Sequence, residues 1–159
     1  MAKISTYHFK TQFMTPEQEN TISFFRFEDL RIYSKAIDYI TWLYGVTASF
    51  SEAKSIKLKE DFMKAAQAIA LNVAEGSARN KAQFVYYLKM AKSSVRECVV
   101  FTEVASKLGV MDDEAKEYSR TQLMELTKMI GSLVASLQRA AMSKEEISVD
   151  DDDDTPEMI

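Results

Sequence analysis

The sequence is short of the residues that interrupt regular structure. It holds 4 glycines and 2 prolines in 159 residues, too few for the tight turns of an all-β fold, which leaves long helices as the expected class. Its single cysteine, Cys98, has no partner for an internal disulfide and sits inside an apolar helical pattern. Nothing therefore demands an oxidising compartment, and the cytoplasm is the expected location. No stretch approaches the roughly 18 consecutive apolar residues of a membrane span. The one histidine, His8, lies in an N-terminal stretch that lacks the apolar core and small-residue cleavage site of a secretory signal. One histidine and one cysteine cannot supply a Cys/His pair, a Ser/His/Asp set, a zinc site or the Glu-x-x-His pairs of a di-iron bundle. No G-x-G-x-x-G and no P-loop is present. The expectation is a protein without catalytic residues, metal or cofactor.

What the sequence does have is apolar residues at helical spacing, 47% of the chain, and a length that suits one domain with its own core. The net charge of -4 conceals an asymmetry. Positions 144–159 carry eight acids against one lysine, a charge of -7, which leaves 19 basic and 16 acidic residues, +3, for positions 1–143. The expected organisation is an aromatic leader over 1–26, a helical bundle over 27–141 and an acidic tail over 142–159. The tail has too few large apolar groups to offset the entropy of ordering it.

Four helical patterns follow one another. Leu30, Tyr33, Ile37, Ile40 and Tyr44, widened by Ala36 and Leu43, mark a first helix ending near Gly45. Leu58, Phe62, Ala65, Ile69 and Val73 mark a second, with Ser51 or Ser55 as its N-cap. Phe84, Leu88, Ala91, Val95, Cys98, Thr102 and Ala105 form a strict four-three seam of mostly small residues on a third, next to which a neighbouring backbone can come close. Leu108-Gly109-Val110 predicts its stop, and Asp112 or Asp113 caps a fourth helix carrying Leu123, Leu126, Ile130, Leu133 and Leu137. Short connections between amphipathic helices predict an antiparallel up-down four-helix bundle.

The corner between the second and third helices reads LNVAEGSAR, Leu71 to Arg79. Gly76 is expected to take a positive φ and let the chain reverse. Asn80 with Gln83 three residues on has the form of a capping box. Asn72 and Glu75, spaced i, i+3, are expected at a partly buried position, with Arg79 as the nearest cation for Glu75. These three, Asn72, Glu75 and Gly76, are structural candidates.

The blocks FEDLRIYSKAIDY (27–39), LNVAEGSAR (71–79) and FVYYLKMAKSSVRE (84–97) resemble the four-helix bundle proteins related to those encoded in ribosomal-RNA intervening sequences. The signature is N-x-A-E-G-x-x-R at Asn72, Ala74, Glu75, Gly76 and Arg79, followed by F-x-x-x-L-x-x-A-x-x-S from Phe84. The resemblance spans roughly residues 27 to 138. It implies a non-enzymatic bundle that assembles into a ring, typically a homopentamer. The resemblance extends to the accessory protein of diversity-generating retroelements, a basic pentameric barrel that binds nucleic acid and a reverse transcriptase. This chain departs from it in its weakly basic body, acidic tail and aromatic leader.

The candidate partner surface is a basic stripe. Lys89, Lys92 and Arg96 share a face of the third helix, with Lys81 and Arg79 upstream. Two readings stand side by side: phosphate contacts to RNA or DNA, or a solvated stripe that pairs with acids on another subunit. The candidate partners are further copies of the chain, RNA or DNA, and a nucleic-acid-handling protein; an adaptor that never meets nucleic acid is the alternative. The aspartate run either keeps an assembly soluble or folds back on the stripe. Phe24, Phe25 and Phe27 either staple the first helix or dock on an adjacent subunit.

Overall fold

Helices account for the described residues, and no strand occurs among them. The computed structural model describes residues 24–51 and 53–150, with residues 54 and 144–150 described by backbone alone. The elements are α1 (Arg31–Val46), α2 (Ala53–Ser77), α3 (Lys81–Lys107) and α4 (Asp113–Asp150), with 3-10 turns at Arg26–Asp29 and Thr47–Ser49. Each helix packs on the next, and α4 returns to α1. The leader expected over 1–26 lies outside the described residues up to position 23. The acidic tail expected from 142 begins inside α4, whose backbone is helical to Asp150, and positions 151–159 lie outside the described residues.

Local chemistry sets the helix ends. The Gln83 N–H donates to Asn80 Oδ1 at 2.9 Å and opens α3; the Ala115 N–H donates to Asp112 Oδ1 at 2.8 Å and opens α4. Between them Gly109 takes φ 71°. Its N–H donates to the Ser106 carbonyl at 3.0 Å, and that of Val110 to the Ala105 carbonyl at 3.1 Å, the paired bonds of a glycine stop. Two boundaries differ from expectation. Ser55 is no cap; it is buried within α2. The first α-helix starts at Arg31 behind an extended Leu30 that offers no side-chain cap, because Phe27 belongs to the preceding 3-10 turn.

The core follows the sequence pattern on three helices. Leu58, Phe62, Ala65, Ile69 and Val73 of α2, Leu88 to Ala105 of the α3 seam, and Leu123, Leu126 and Ile130 of α4 are buried. Leu133 and Leu137 are partly buried beside them. On α1 the buried residues are Ile32, Ala36, Tyr39 and Leu43, while Ile37 and Tyr44 of the expected stripe are exposed. That helix carries two apolar faces; the expectation led with the outer one, included Ala36 and Leu43 of the inner, and missed Ile32 and Tyr39.

A line of buried hydroxyls ties α1, α4 and α3 together. The Tyr39 hydroxyl and Ser119 Oγ are 2.8 Å apart, Ser119 Oγ and Thr102 Oγ1 are 2.7 Å apart, and Thr102 Oγ1 donates to the Cys98 carbonyl at 2.8 Å. A hydroxyl has one proton, so Thr102, already donating, accepts from Ser119, and Ser119 accepts from Tyr39. The line runs in one direction and leaves no buried donor idle. Burial pushes the Tyr39 phenol well above its usual range, with the Cys98 thiol nearby adding to the effect, so it stays protonated and donating. Ser119→Ala strands both Tyr39 and Thr102 from their partner and is expected to cost about 1–3 kcal/mol in denaturant unfolding. Tyr39→Phe, which leaves Ser119 donating to Thr102, is expected to cost less.

Candidate nucleic-acid interface

The corner from Asn72 to Lys81 and the face of α3 that follows hold all eight residues singled out from the sequence. Gly76 departs from expectation. It lies within α2, which continues to Ser77, and the one glycine of positive φ among the described residues is Gly109. A Cβ on Gly76 would stand 2.7 Å from Phe84 Cδ2 and 2.7 Å from Tyr87 Cβ. The glycine is there for close approach: α3 folds back over α2 so tightly that no side chain fits between them. Asn72 bonds inside its own helix, donating from Nδ2 to the Ala68 carbonyl at 2.8 Å. Glu75 is half-exposed rather than interior and forms an ion pair with Arg79, whose Nε donates to Glu75 Oε1 at 3.0 Å. That bond holds the Arg79 guanidinium above its ordinary range. The pair lies on the surface of the corner, beside the buried Gly76.

Two of the five basic candidates are therefore engaged within the chain. Arg79 serves Glu75, and the Lys81 ammonium donates to the Ala140 carbonyl at 3.3 Å, tying the first turn of α3 to α4. Lys89, Lys92 and Arg96 remain. They sit on successive turns of one face, Lys89 and Arg96 exposed and Lys92 half-buried, and none forms an ion pair among the described residues, unlike Lys35, Lys57 and Lys116. Over the whole of α3 five cations stand against Glu97 and Glu103. The face sets three positive charges within about 10 Å along the helix from first to last.

Other groups with chemical potential are closed off. Cys98 is fully buried on the α3 seam, and burial, reinforced by the nearby Glu97 charge, pushes its thiol far above the range in which a thiolate forms. Among the described residues no three His, Cys, Asp or Glu side chains converge on a point that could hold a metal ion. His8 lies outside the described residues. No helix among them is long and apolar enough to cross a membrane. The acidic tail leaves the bundle at its far end, because α4 runs ten residues past Ala140, about 15 Å, before the aspartate run begins. With that helix intact, the aspartates start well away from Lys89 to Arg96 of their own chain.

Two apolar surfaces escaped the reading of the sequence. Tyr86, Met90, Val100 and Val104 form an exposed ridge on α3, opposite its buried seam. Between α1 and α2 runs a groove of about 430 Å³ lined by Phe27, Tyr33, Ile37, Ile40, Leu71 and Ala74. The signal was present as two apolar pairs at i, i+4 on α3, Tyr86 with Met90 and Val100 with Val104, and as the outer stripe of α1. Spacing does not tell which of two stripes meets the core.

The family model of the 23S rRNA-intervening sequence proteins matches residues 28–132. Among solved structures, a protein of unknown function from the S23 ribosomal protein family of Bacteroides thetaiotaomicron superposes with a TM-score of 0.61 at 16% identity, covering 65% of this chain and 95% of that one. At that identity the likeness speaks for the fold. Among curated proteins none matches the chain.

The corner yields a paired test. In Gly76→Ala the new methyl meets a ring and the Cβ of Tyr87, which cannot swing aside, and overpacking of this kind is expected to cost about 1–3 kcal/mol, outweighing a helix-propensity gain of up to about 1 kcal/mol. Gly131, inside α4 with nothing within 4 Å of a Cβ position, gives the opposite sign: Gly131→Ala is expected to stabilise by about 0.5–1 kcal/mol. Urea midpoints of the two variants and the parent check both.

Proposed function

The chain belongs to the 23S rRNA-intervening sequence protein family, and from that premise we propose that it is a non-catalytic, homo-oligomeric helical scaffold. Its α3 basic face contacts the phosphate backbone of RNA or DNA, or serves a protein that handles nucleic acid. The observation that carries the nucleic-acid reading is the set Lys89, Lys92 and Arg96, three cations on one face with no acid partner among the described residues. Phosphate contacts of this kind carry affinity without sequence information.

The helices run up and down in turn within each subunit. Two cross-links support that order: Lys81 at the start of α3 reaches Ala140 late in α4, and Glu103 late in α3 pairs with Lys116 in the first turn of α4 at 2.9 Å. Copies assemble into a ring, of five by resemblance to the family. The exposed apolar ridge and groove favour assembly, since a monomer gains nothing from leaving them in water. The non-catalytic reading is favoured by the buried, protonated thiol of Cys98 and by the tie between Glu75 and Arg79. The cytoplasm is the proposed location. The alternative, an adaptor that uses the same apolar surfaces on other proteins and never meets nucleic acid, is separated by the basic face alone.

Retention of the full chain on a heparin or RNA column, followed as salt is raised, tests the reading. Binding is expected at low salt and should fall steeply as counterions compete. Lys92→Glu combined with Arg96→Glu is expected to abolish it with an unchanged helical circular-dichroism signal. Retention of that double variant equal to the parent's, or no retention of the parent at low salt, removes nucleic acid from the proposal and leaves the adaptor.

A further inference from the structure

We infer that the α3 ridge of one copy seats in the α1–α2 groove of the next, so that ridge and groove are two halves of one repeated contact. This inference rests on the proposal that the chain is oligomeric, and it assigns the surfaces.

The ridge is regular. Tyr86, Met90, Val100 and Val104 follow one another at four, ten and four residues, which places them within about 40° of a common line on a helix of 100° per residue. Tyr86 and Val100 are each 59% exposed, large values for apolar side chains in mid-helix. The line runs from residue 86 to 104, about 27 Å. The groove has complementary form. Its lining combines the half-buried Tyr33, Ile40, Gln67 and Ala74 with the exposed Ile37 on α1 and Leu71 on α2, and Leu71 is 66% exposed. Phe27 closes one end against Tyr33, ring centroids 5.0 Å apart, with Phe25 stacked beyond it. One surface is convex and the other concave, and a ridge entering a groove is how helices pack within a core.

Charge at the contact is mixed: Lys89 and Arg96 stand to one side of the ridge and the exposed Glu97 lies on its line between Met90 and Val100, while the exposed Asp38 on α1 and Asp29 in the turn before it flank the groove. Neither aspartate has an ion pair among the described residues. Half the surface of a helix about 10 Å across and 27 Å long is roughly 400 Å², so the two partners together bury roughly 800 Å² through ridge and groove alone, a small contact beside the ~1,200–2,000 Å² of stable interfaces that gains from being repeated around a closed assembly. Each copy makes the contact twice.

The placement also decides the symmetry. The α3 helix packs on α2 and α4 rather than on α1, and its ridge points away from the core, so it cannot reach the groove of its own chain. With α3 packed on α2 and α4 and the groove formed by α1 and α2, ridge and groove belong to different sides of the bundle, an arrangement that favours two neighbours over one. A copy therefore offers its ridge to one neighbour and its groove to another, a head-to-tail contact that closes into a ring when the rotation allows.

The test uses two full-length variants whose substitutions are all at exposed positions: Val100→Glu with Val104→Glu on the ridge, and Ile37→Glu with Leu71→Glu on the groove. Mass is measured by light scattering over a dilution series. The parent is expected to be an oligomer and each variant a monomer, with association weakened at least about 30-fold, as for loss of an interface hot spot. The deciding sample is the equimolar mixture. One intact ridge and one intact groove remain in it, so a 1:1 heterodimer that grows no further is expected. Should glutamate disturb folding by circular dichroism, Val104→Ser and Leu71→Ser replace the double variants with the same expected pattern at smaller amplitude. An oligomeric parent whose variants stay assembled, or a mixture that stays monomeric, overturns this inference and spares the oligomeric proposal. A monomeric parent overturns both.

Discussion

Everything after residue 76 is placed by how closely α3 can fold back on α2, and that distance is set by a missing side chain. Gly76 lies against Phe84 and Tyr87 with no room for a single carbon. Because the gap is that narrow, the first turn of α3 is fixed, Asn80 caps it there, and the seam from Leu88 to Ala105 meets the core in register. A glycine inside a helix costs up to about 1 kcal/mol relative to alanine, and less one residue from the end of α2, where Gly76 stands. The cost is repaid in packing, as it is wherever backbones must touch. The basic face and the ridge inherit their positions from this corner, since both ride on α3.

A second constraint acts in the middle of the molecule. Apolar packing alone tolerates several rotations of one helix against another. The line from Tyr39 through Ser119 and Thr102 to the Cys98 carbonyl does not, because rotating any of the three helices strands a buried hydroxyl. Trp42, stacked between Tyr39 and Tyr118 with centroid distances of 5.6 and 4.7 Å, and the ion pair of Lys35 with Glu125 hold α1 to α4 on the same side. The core is apolar in bulk and specified by a few polar atoms.

Much of this was legible in the sequence, for reasons that differ from place to place. The helices of α2, α3 and α4 could be read because each has one dominant apolar stripe, and the stop at Gly109 because Leu-Gly-Val ahead of an aspartate has few other meanings. On α1 the reading put the outer stripe of Tyr33, Ile37, Ile40 and Tyr44 first and took Ala36 and Leu43 only as its edge, because these repeat as well as Ile32, Ala36, Tyr39 and Leu43 and only burial distinguishes them. Gly76 was recognised as essential to the corner for the wrong reason, since a glycine needed for φ and one needed for contact look alike in one dimension. The hydroxyl line left no trace at all. Ser119 and Thr102 are common residues in helices, and their meeting across 17 positions is a property of the fold. Of the site candidates, the pairing of Glu75 with Arg79 was legible from i, i+4 spacing, whereas the engagement of Lys81 with Ala140 depends on where α4 passes.

The length of α4 has a hydrodynamic consequence. The helix outruns the others, continuing beyond its meeting with Lys81 to Asp150. A rod protruding about 15 Å adds far more drag in water than mass, so a chain of 18.1 kDa tumbles and elutes as a larger particle than a sphere of its weight. Elution volume is then a biased ruler for this molecule, inflated by shape before any self-association contributes.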